Sequence, residues 1–409
     1  MLLQNALLLG LATLVSAWLP QNNSYKLRST DSLLPGSAKI RGVNLGSLFI
    51  VEPWMASDAW NAMGCGGFNT EFDCVKALGQ ARGNEAFKSH WNSWITQDDI
   101  KEIASLGLNT LRIPVGFWMY EPIVDRAIEW FPEGGFPFLE RVCNWAAELG
   151  IYVIIDLHAA PGSQVVNQQF AGQFVSPPGF YNDTEYERAY EFLDWMTENI
   201  HTNNNFRSVG MLEVMNEPVH TWEFPEMAAS MISDFYPHAW NCIRAVEDRL
   251  NISPHDRVHI QMMNEKWGTG NPNQNLTDTW YAAYDDHRYI KWSGTNTTRE
   301  AYLNASCHDD RGGNTPTIVG EWSLSIADTA EWGEVFTLNR TDAAAWYKRW
   351  WAAQVMTYEK QAGWIFWSWK ANWIGGRNEW RWAYQSAVAA GAIPRNPEDA
   401  YSMGACDGV

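Results

Sequence analysis

Several chemistries are excluded by what the chain lacks. It has no Cys-x-x-Cys pair and no His-Glu-x-x-His run, which argues against a structural or catalytic metal. The turn after Leu45 has neither a Gly-x-Gly-x-x-Gly nor a Walker pattern. A doubly wound open sheet should carry such a phosphate loop after its first strand. No Gly-x-Ser-x-Gly elbow is present, so Asp156 and His158 have no serine to complete a triad. No cofactor is expected. Basic residues are scarce, 29 Lys and Arg against 47 Asp and Glu, and the net charge of −18 disfavours nucleic acid and anionic membranes. A neutral partner fits better.

Long apolar runs are confined to the N-terminus. Met1 to Ala17 is apolar and ends in Val15-Ser16-Ala17, which reads as a signal peptide over 1–17. It has no Lys or Arg in its first residues, and it is short for a membrane anchor. Residues 18–38 are polar and irregular, a surface strap, and 39–409 are expected to form one catalytic domain. A secreted protein, extracellular or in the cell wall, would make use of its Asn-x-Ser/Thr sequons. These stand at Asn22, Asn182, Asn251, Asn275, Asn296, Asn304 and Asn339; Pro254 makes Asn251 a poorer acceptor. The six Cys could pair fully, with fifteen possible connectivities; Cys65–Cys74 closes a short loop and is the preferred bridge.

What is abundant is apolar and aromatic. The 46% hydrophobic content suffices for a large core, and 25 Trp exceed what a core alone requires. An indole face also suits the C–H face of a sugar ring. Eight short apolar stretches read as strands: 40–46, 108–114, 151–158, 211–216, 257–262, 280–287, 316–321 and 363–369. Helical patterns separate most of them, at 91–106, 138–149, 186–200, 228–250 and 341–358. Thr96-Gln97-Asp98-Asp99 reads as a cap and first turn, and Pro114 as a strand stop. The alternation predicts an α/β fold, a single (β/α)8 TIM barrel. Residues 47–89 form a long first connection that would roof one side of a cleft, and the chain is expected to be monomeric.

In such a barrel, side chains at strand C-termini face the active site. Arg112, His158, Asn216, Glu217, His287, Tyr289, Glu321 and Trp367 all fall there. Each has an ordinary reading: an ion pair for Arg112, satisfied buried histidines, core aromatics, a surface carboxylate. Together they are harder to dismiss. Two carboxylates on different strands of one rim suit glycoside hydrolysis, which needs a protonated acid and an ionised partner. Glu52, in the long connection, could grip sugar hydroxyls.

The ordered set Arg41–Gly46, Leu111–Gly116, Asp156–Gly162, Asn216-Glu217-Pro218, His287-Arg288-Tyr289, Gly320-Glu321-Trp322 and Gly363–Trp369 resembles glycoside hydrolase family 5. The match runs from about residue 40 to 370. Ala159 departs from it, where relatives often have Gly. Within the family, Glu52-Pro53-Trp54 and 364–370 resemble the exo-β-1,3-glucanase branch. Residues 46–55, 209–218, 261–263 and 284–289 resemble the fungal endo-β-1,6-glucanase branch more, which is the preferred assignment. The resemblance implies a retaining mechanism on β-glucan of fungal cell walls, with Glu217 as acid/base and Glu321 as nucleophile. It implies that Asn216 bonds a 2-hydroxyl, Trp367 floors the site, Glu52, Arg112, His158, His287 and Tyr289 contact sugar, and Arg112 or Tyr289 also keeps Glu321 ionised. A barrel that binds glycan without cleaving it, and a structural wall protein, are the alternatives of another class.

Overall fold

The computed structural model describes residues 39–409 apart from 310–311, 339–341, 375–376 and 379. The signal peptide, the strap, Asn22 and Asn339 lie outside the described residues. Eight parallel strands close into a barrel in chain order: β1 (Ile40–Asn44), β2 (Thr110–Gly116), β3 (Tyr152–Ala159), β4 (Val209–Glu213), β5 (His259–Met263), β6 (Ala282–His287), β7 (Thr317–Glu321) and β8 (Gly363–Phe366), with β8 pairing back onto β1. Helices cover it in sequence. They are α1 (Ser57–Ala62), α2 (Glu71–Leu78), α3 (Gln80–Ser93), α4 (Gln97–Ser105), α5 (Phe136–Glu148), α6 (Asp183–Thr202), α7 (Pro225–Ser230), α8 (Tyr236–Arg249), α9 (Arg299–Cys307), α10 (Asp328–Glu331), α11 (Ala343–Tyr358) and α12 (Tyr384–Ala389). The β5–β6 connection holds only the short 3-10 turn Glu265–Trp267. No helix among the described residues is long and apolar enough to cross a membrane.

The strands' period of two explains where the core ends and the site begins. Val153, Ile155 and Leu157 of β3 pack outward in the main cluster with the helices, whereas Tyr152 and Ile154 join a separate inner cluster with Met211, Ala283, Ile318 and Ile365. Moving up the same inner rows, the next residues are Asp156 and His158 on β3, Glu213 on β4, and Asp285 and His287 on β6. An apolar plug therefore fills the bottom of the barrel, and a polar layer fills its C-terminal mouth.

Several local readings change. Residues 47–89 are not an irregular loop but hold α1, α2 and most of α3. Their glycines obscured the helical periods. The amphipathic run 91–106 is two helices, broken where Thr96 and Asp99 form a reciprocal capping box that starts α4. Pro114 does not stop its strand. β1 pairs with β2 only as far as Asn44–Arg112, so no β1 acceptor is left wanting opposite Pro114, and β2 runs on to Gly116. The 228–250 stretch passes through a π turn, Met231–Phe235, and Pro237 follows it directly at the start of α8. β4 ends at Glu213, yet Val214 N–H donates to Gln261 O and Asn216 N–H to Leu157 O, which holds the chain to the barrel wall beyond the strand.

Cys65–Cys74 is bridged, and Cys307–Cys406 ties the end of α9 to the C-terminus. Full pairing is not realised. Cys143 is buried on α5, and Cys242 on α8 turns to the carbonyl of Ala239 at 3.3 Å. Asn182, Asn251, Asn275, Asn296 and Asn304 are all exposed, although Asn182 also caps α6 and Asn275 donates to Ile232 O.

Candidate active site

Arg112 is the hub of the barrel mouth. It is fully buried, and its Nε donates to Glu213 at 2.8 Å, Nη1 to Glu321 at 2.9 Å and Asn44 at 3.0 Å, and Nη2 to Asn216 at 2.8 Å. Asp156 lies 3.0 Å and Asp285 3.5 Å from the guanidinium. β1, β3, β4, β6 and β7 thus each place a side chain against one cation. Burial opposes the charge on Arg112, but Asp156, Glu213, Asp285 and Glu321 outweigh it and hold the group well above its ordinary pKa. Glu213 goes the other way. Its burial exceeds the pull of Arg112, Asp156 and Asp285 add repulsion, and the carboxyl is pushed well above the ordinary range.

The two expected catalytic carboxylates stand over this layer. Glu321 ends β7. Opposite Gly320 the register with β6 shifts, so that His287 pairs with Glu321. Gly320 is required there: a Cβ would lie 2.2 Å from the carboxylate of Asp285, which accepts the Gly320 N–H at 2.8 Å. Glu321 receives Arg112 on one oxygen and the Tyr289 hydroxyl, at 2.8 Å, on the other. Glu217 takes a left-handed backbone, φ 40°, which non-glycine residues seldom adopt and which recurs at functional sites. Its Oε1 accepts from Nδ1 of His287 at 2.6 Å. His287 Nδ1 is also 3.5 Å from Glu321, and its Nε2 is 3.4 Å from Asp285. Carboxyl oxygens of Glu217 and Glu321 and a nitrogen of His287 all lie within 4.8 Å of one another. That spacing also suits a metal ion, but the same carboxyl groups already bind His287, Arg112 and Tyr289.

The electrostatics differ from the sequence expectation. Burial raises Glu321, despite the pull of His287 and Arg112, with the nearby Glu217 charge adding to the rise. Burial also works on Glu217, but the hydrogen bond and charge of His287 outweigh it and hold Glu217 below the ordinary range. Burial opposes the charge on His287, yet Glu321 and Asp285 hold its pKa well above 6.5. In the free site, therefore, the proton shared with Glu217 sits on His287. The tyrosine remains a donor, because burial and Glu321 push Tyr289 well above 10.

The remaining expected residues complete a cleft of about 930 Å³, near the upper end of the range for small-ligand sites. Glu52, His158, Asn216, Glu217, His287, Tyr289, Glu321 and Trp367 line it. Arg112 does not: it lies beneath the cleft, so its expected sugar contact is corrected to support of Glu321 and Asn216 from below. His158 stacks parallel to Trp367 at 5.6 Å and bonds Asp156 at 2.6 Å. Asn216 gives its oxygen to Arg112, which leaves its buried Nδ2 without a protein partner at the cleft wall. Glu52 accepts from Trp54 Nε1 at 2.7 Å, and burial pushes its carboxyl up to about 7. Trp54, Trp267, Trp292 and Trp382 also line the cleft and had been missed. So had Asn44, Glu213 and Asp285. The last two carried a signal, a charge on the inward row of an apolar strand.

A closed parallel barrel with paired carboxylates at its C-terminal mouth is the arrangement of a glycosidase. The family description Cellulase (glycosyl hydrolase family 5) matches residues 72–373. The chain belongs to glycosyl hydrolase family 5. It is 53% identical over 407 residues to the glucan endo-1,6-beta-glucosidase B of Emericella nidulans, covering 95% of this chain and 96% of that protein. It is 52% identical over 404 residues to a probable glucan endo-1,6-beta-glucosidase B of Neosartorya fischeri, covering 98% of each. The crystal structure of rutinosidase from Aspergillus niger superposes with a TM-score of 0.66 at 22% identity, over 87% of this chain and 97% of that one, a likeness of fold.

Proposed function

We propose that the protein is a secreted, retaining β-glucanase that cleaves internal β-1,6-glucosidic linkages of fungal cell-wall glucan. The observation that carries the reading is the Glu217–Glu321 pair. Their oxygens lie within 4.8 Å, one bonded to His287 and the other to Arg112 and Tyr289. Retaining enzymes hold their carboxyls about 5–5.5 Å apart, inverting ones about 6.5–9.5 Å, so the spacing supports double displacement. Glu321, oriented by two donors, attacks the anomeric carbon. Glu217 gives its proton to the leaving oxygen, having taken it from His287 along their 2.6 Å bond as the sugar displaces water. A water molecule then yields a proton to Glu217, attacks the same carbon and frees Glu321. Asn216 Nδ2 is a donor for the 2-hydroxyl, and Trp367 floors the attacked sugar.

The linkage rests on relatives of about half identity over nearly the whole chain. Export is supported by the apolar 1–17 segment, the exposed sequons and the bridges Cys65–Cys74 and Cys307–Cys406. The test is a time course of products from linear β-1,6-glucan, with β-1,3-glucan in parallel. A ladder of oligosaccharides from the β-1,6 polymer alone is expected. Glucose released singly from the β-1,3 polymer would replace the linkage reading with an exo-β-1,3 one.

A further inference from the structure

Trp222 is 69% exposed, yet its indole is held in place. It follows Glu217 by five residues, in the connection that leads from β4 to α7. One face stacks on His220, centroid to centroid 4.2 Å and 10° from parallel. Its six-membered ring lies over the backbone of Gly268, where a Cβ would be 2.4 Å from the indole carbons; Gly268 has φ 112°. Thr221 fastens the same contact, with both its N–H and its hydroxyl on Gly268 O at 3.0 Å. Trp267 joins the group, 4.8 Å from His220, and its Nε1 donates to Pro218 O at 2.9 Å. The β4 and β5 connections are therefore locked together. With His220 behind it and 69% of its surface in solvent, the other face of Trp222 is open.

An exposed indole left free to move would lose entropy on stacking with a ligand; this one has already lost it. Its place is continuous with the cleft, because His220 and Trp267 line the cleft wall. That wall is built from the residues immediately after Glu217, the group that would protonate the departing oxygen. We propose that Trp222 is a platform for a glucose residue on the leaving-group side of the scissile bond. The proposal rests on the glycosidase reading and adds to it a site for the chain that departs. Such a platform favours cleavage within a chain, since it rewards substrates that extend past the bond being cut.

The test compares Trp222→Ala with the parent protein on the β-glucan it hydrolyses and on an aryl β-glycoside whose leaving group carries no sugar. On the polymer kcat/KM should fall about tenfold more than on the aryl glycoside, most of it in KM, with Trp222→Phe recovering part of the loss. Equal losses on both substrates would overturn the platform, as would an undiminished rate on the polymer. Binding is read separately by affinity electrophoresis through gels containing glucan, in the Glu321→Ala background. There Trp222→Ala should reduce retardation; equal retardation, or none in either protein, overturns the proposal. Should the parent protein prefer another β-glucan, the linkage reading fails while the platform is judged on that polymer.

Discussion

Nδ1 of His287 lies 2.6 Å from Glu217 and 3.5 Å from Glu321, so one imidazole serves both carboxyls. Asp285, 3.4 Å from its other nitrogen, favours the charged ring. The cation lowers the pKa of each carboxyl relative to what burial alone would impose. Removing it in His287→Gln should raise both. The acid limb of the pH profile of kcat/KM, set by Glu321, then moves to higher pH, and the maximum falls roughly 100-fold. A profile that only drops, with its acid limb in place, would deny His287 this role.

The two carboxyls should fail differently. Glu321→Ala is expected to lower turnover by about 10³-fold or more on every substrate while the fold persists by circular dichroism. Glu217→Ala should slow natural glucan far more than an aryl glycoside with an acidic leaving group, which departs without a proton. The same factor on both substrates would count against Glu217 as the acid.

Arg112 should be indispensable to stability. Its removal strands Asp156, Asp285 and Glu321 as buried carboxylates without their cation. Losing one partner of a buried ion pair costs about 3–5 kcal/mol. Arg112→Met should lower the unfolding free energy by about that much in urea titrations. Arg112→Lys should recover little, because a single ammonium cannot reach the six acceptors that surround the planar fork. Full stability in either variant would mean that the carboxyls simply take up protons.

Glu52 links stability to pH. Its folded value, about 7, is above the ordinary carboxyl value of 4.5, chiefly through burial. Folding therefore favours the neutral form. That contribution is complete below pH 4.5 and is lost as pH rises through 7. Glu52→Gln keeps a neutral side chain at all pH, so its Tm relative to the parent protein should improve between pH 4.5 and pH 8. A constant difference across that range would show that Glu52 ionises freely in the folded chain.

The barrel was legible because strand and helix periods alternate along the chain, and because Glu217 and Glu321 each follow an apolar run. Glu213 and Asp285 were hidden because each lies within a stretch read as a strand, Glu213 in 211–216 and Asp285 in 280–287, short of the polar end of that stretch. The exact helix breaks were weaker signals. Thr96 and Asp99 marked one of them, but the glycines between 64 and 83 read as loop although α2 and α3 occupy much of that stretch.

By itself the sequence determined the order of the strands, the inward rows and the residue types at their ends, since side-chain alternation and turn chemistry are local. Tertiary structure alone decided which acceptors share Arg112, that the proton rests on His287, that Cys307 meets Cys406, and that Trp222 lies over Gly268. Each of these depends on the register between segments tens to hundreds of residues apart. A shift of one residue between β6 and β7 is enough to bring Glu321 beside His287, and only the closed barrel sets that shift.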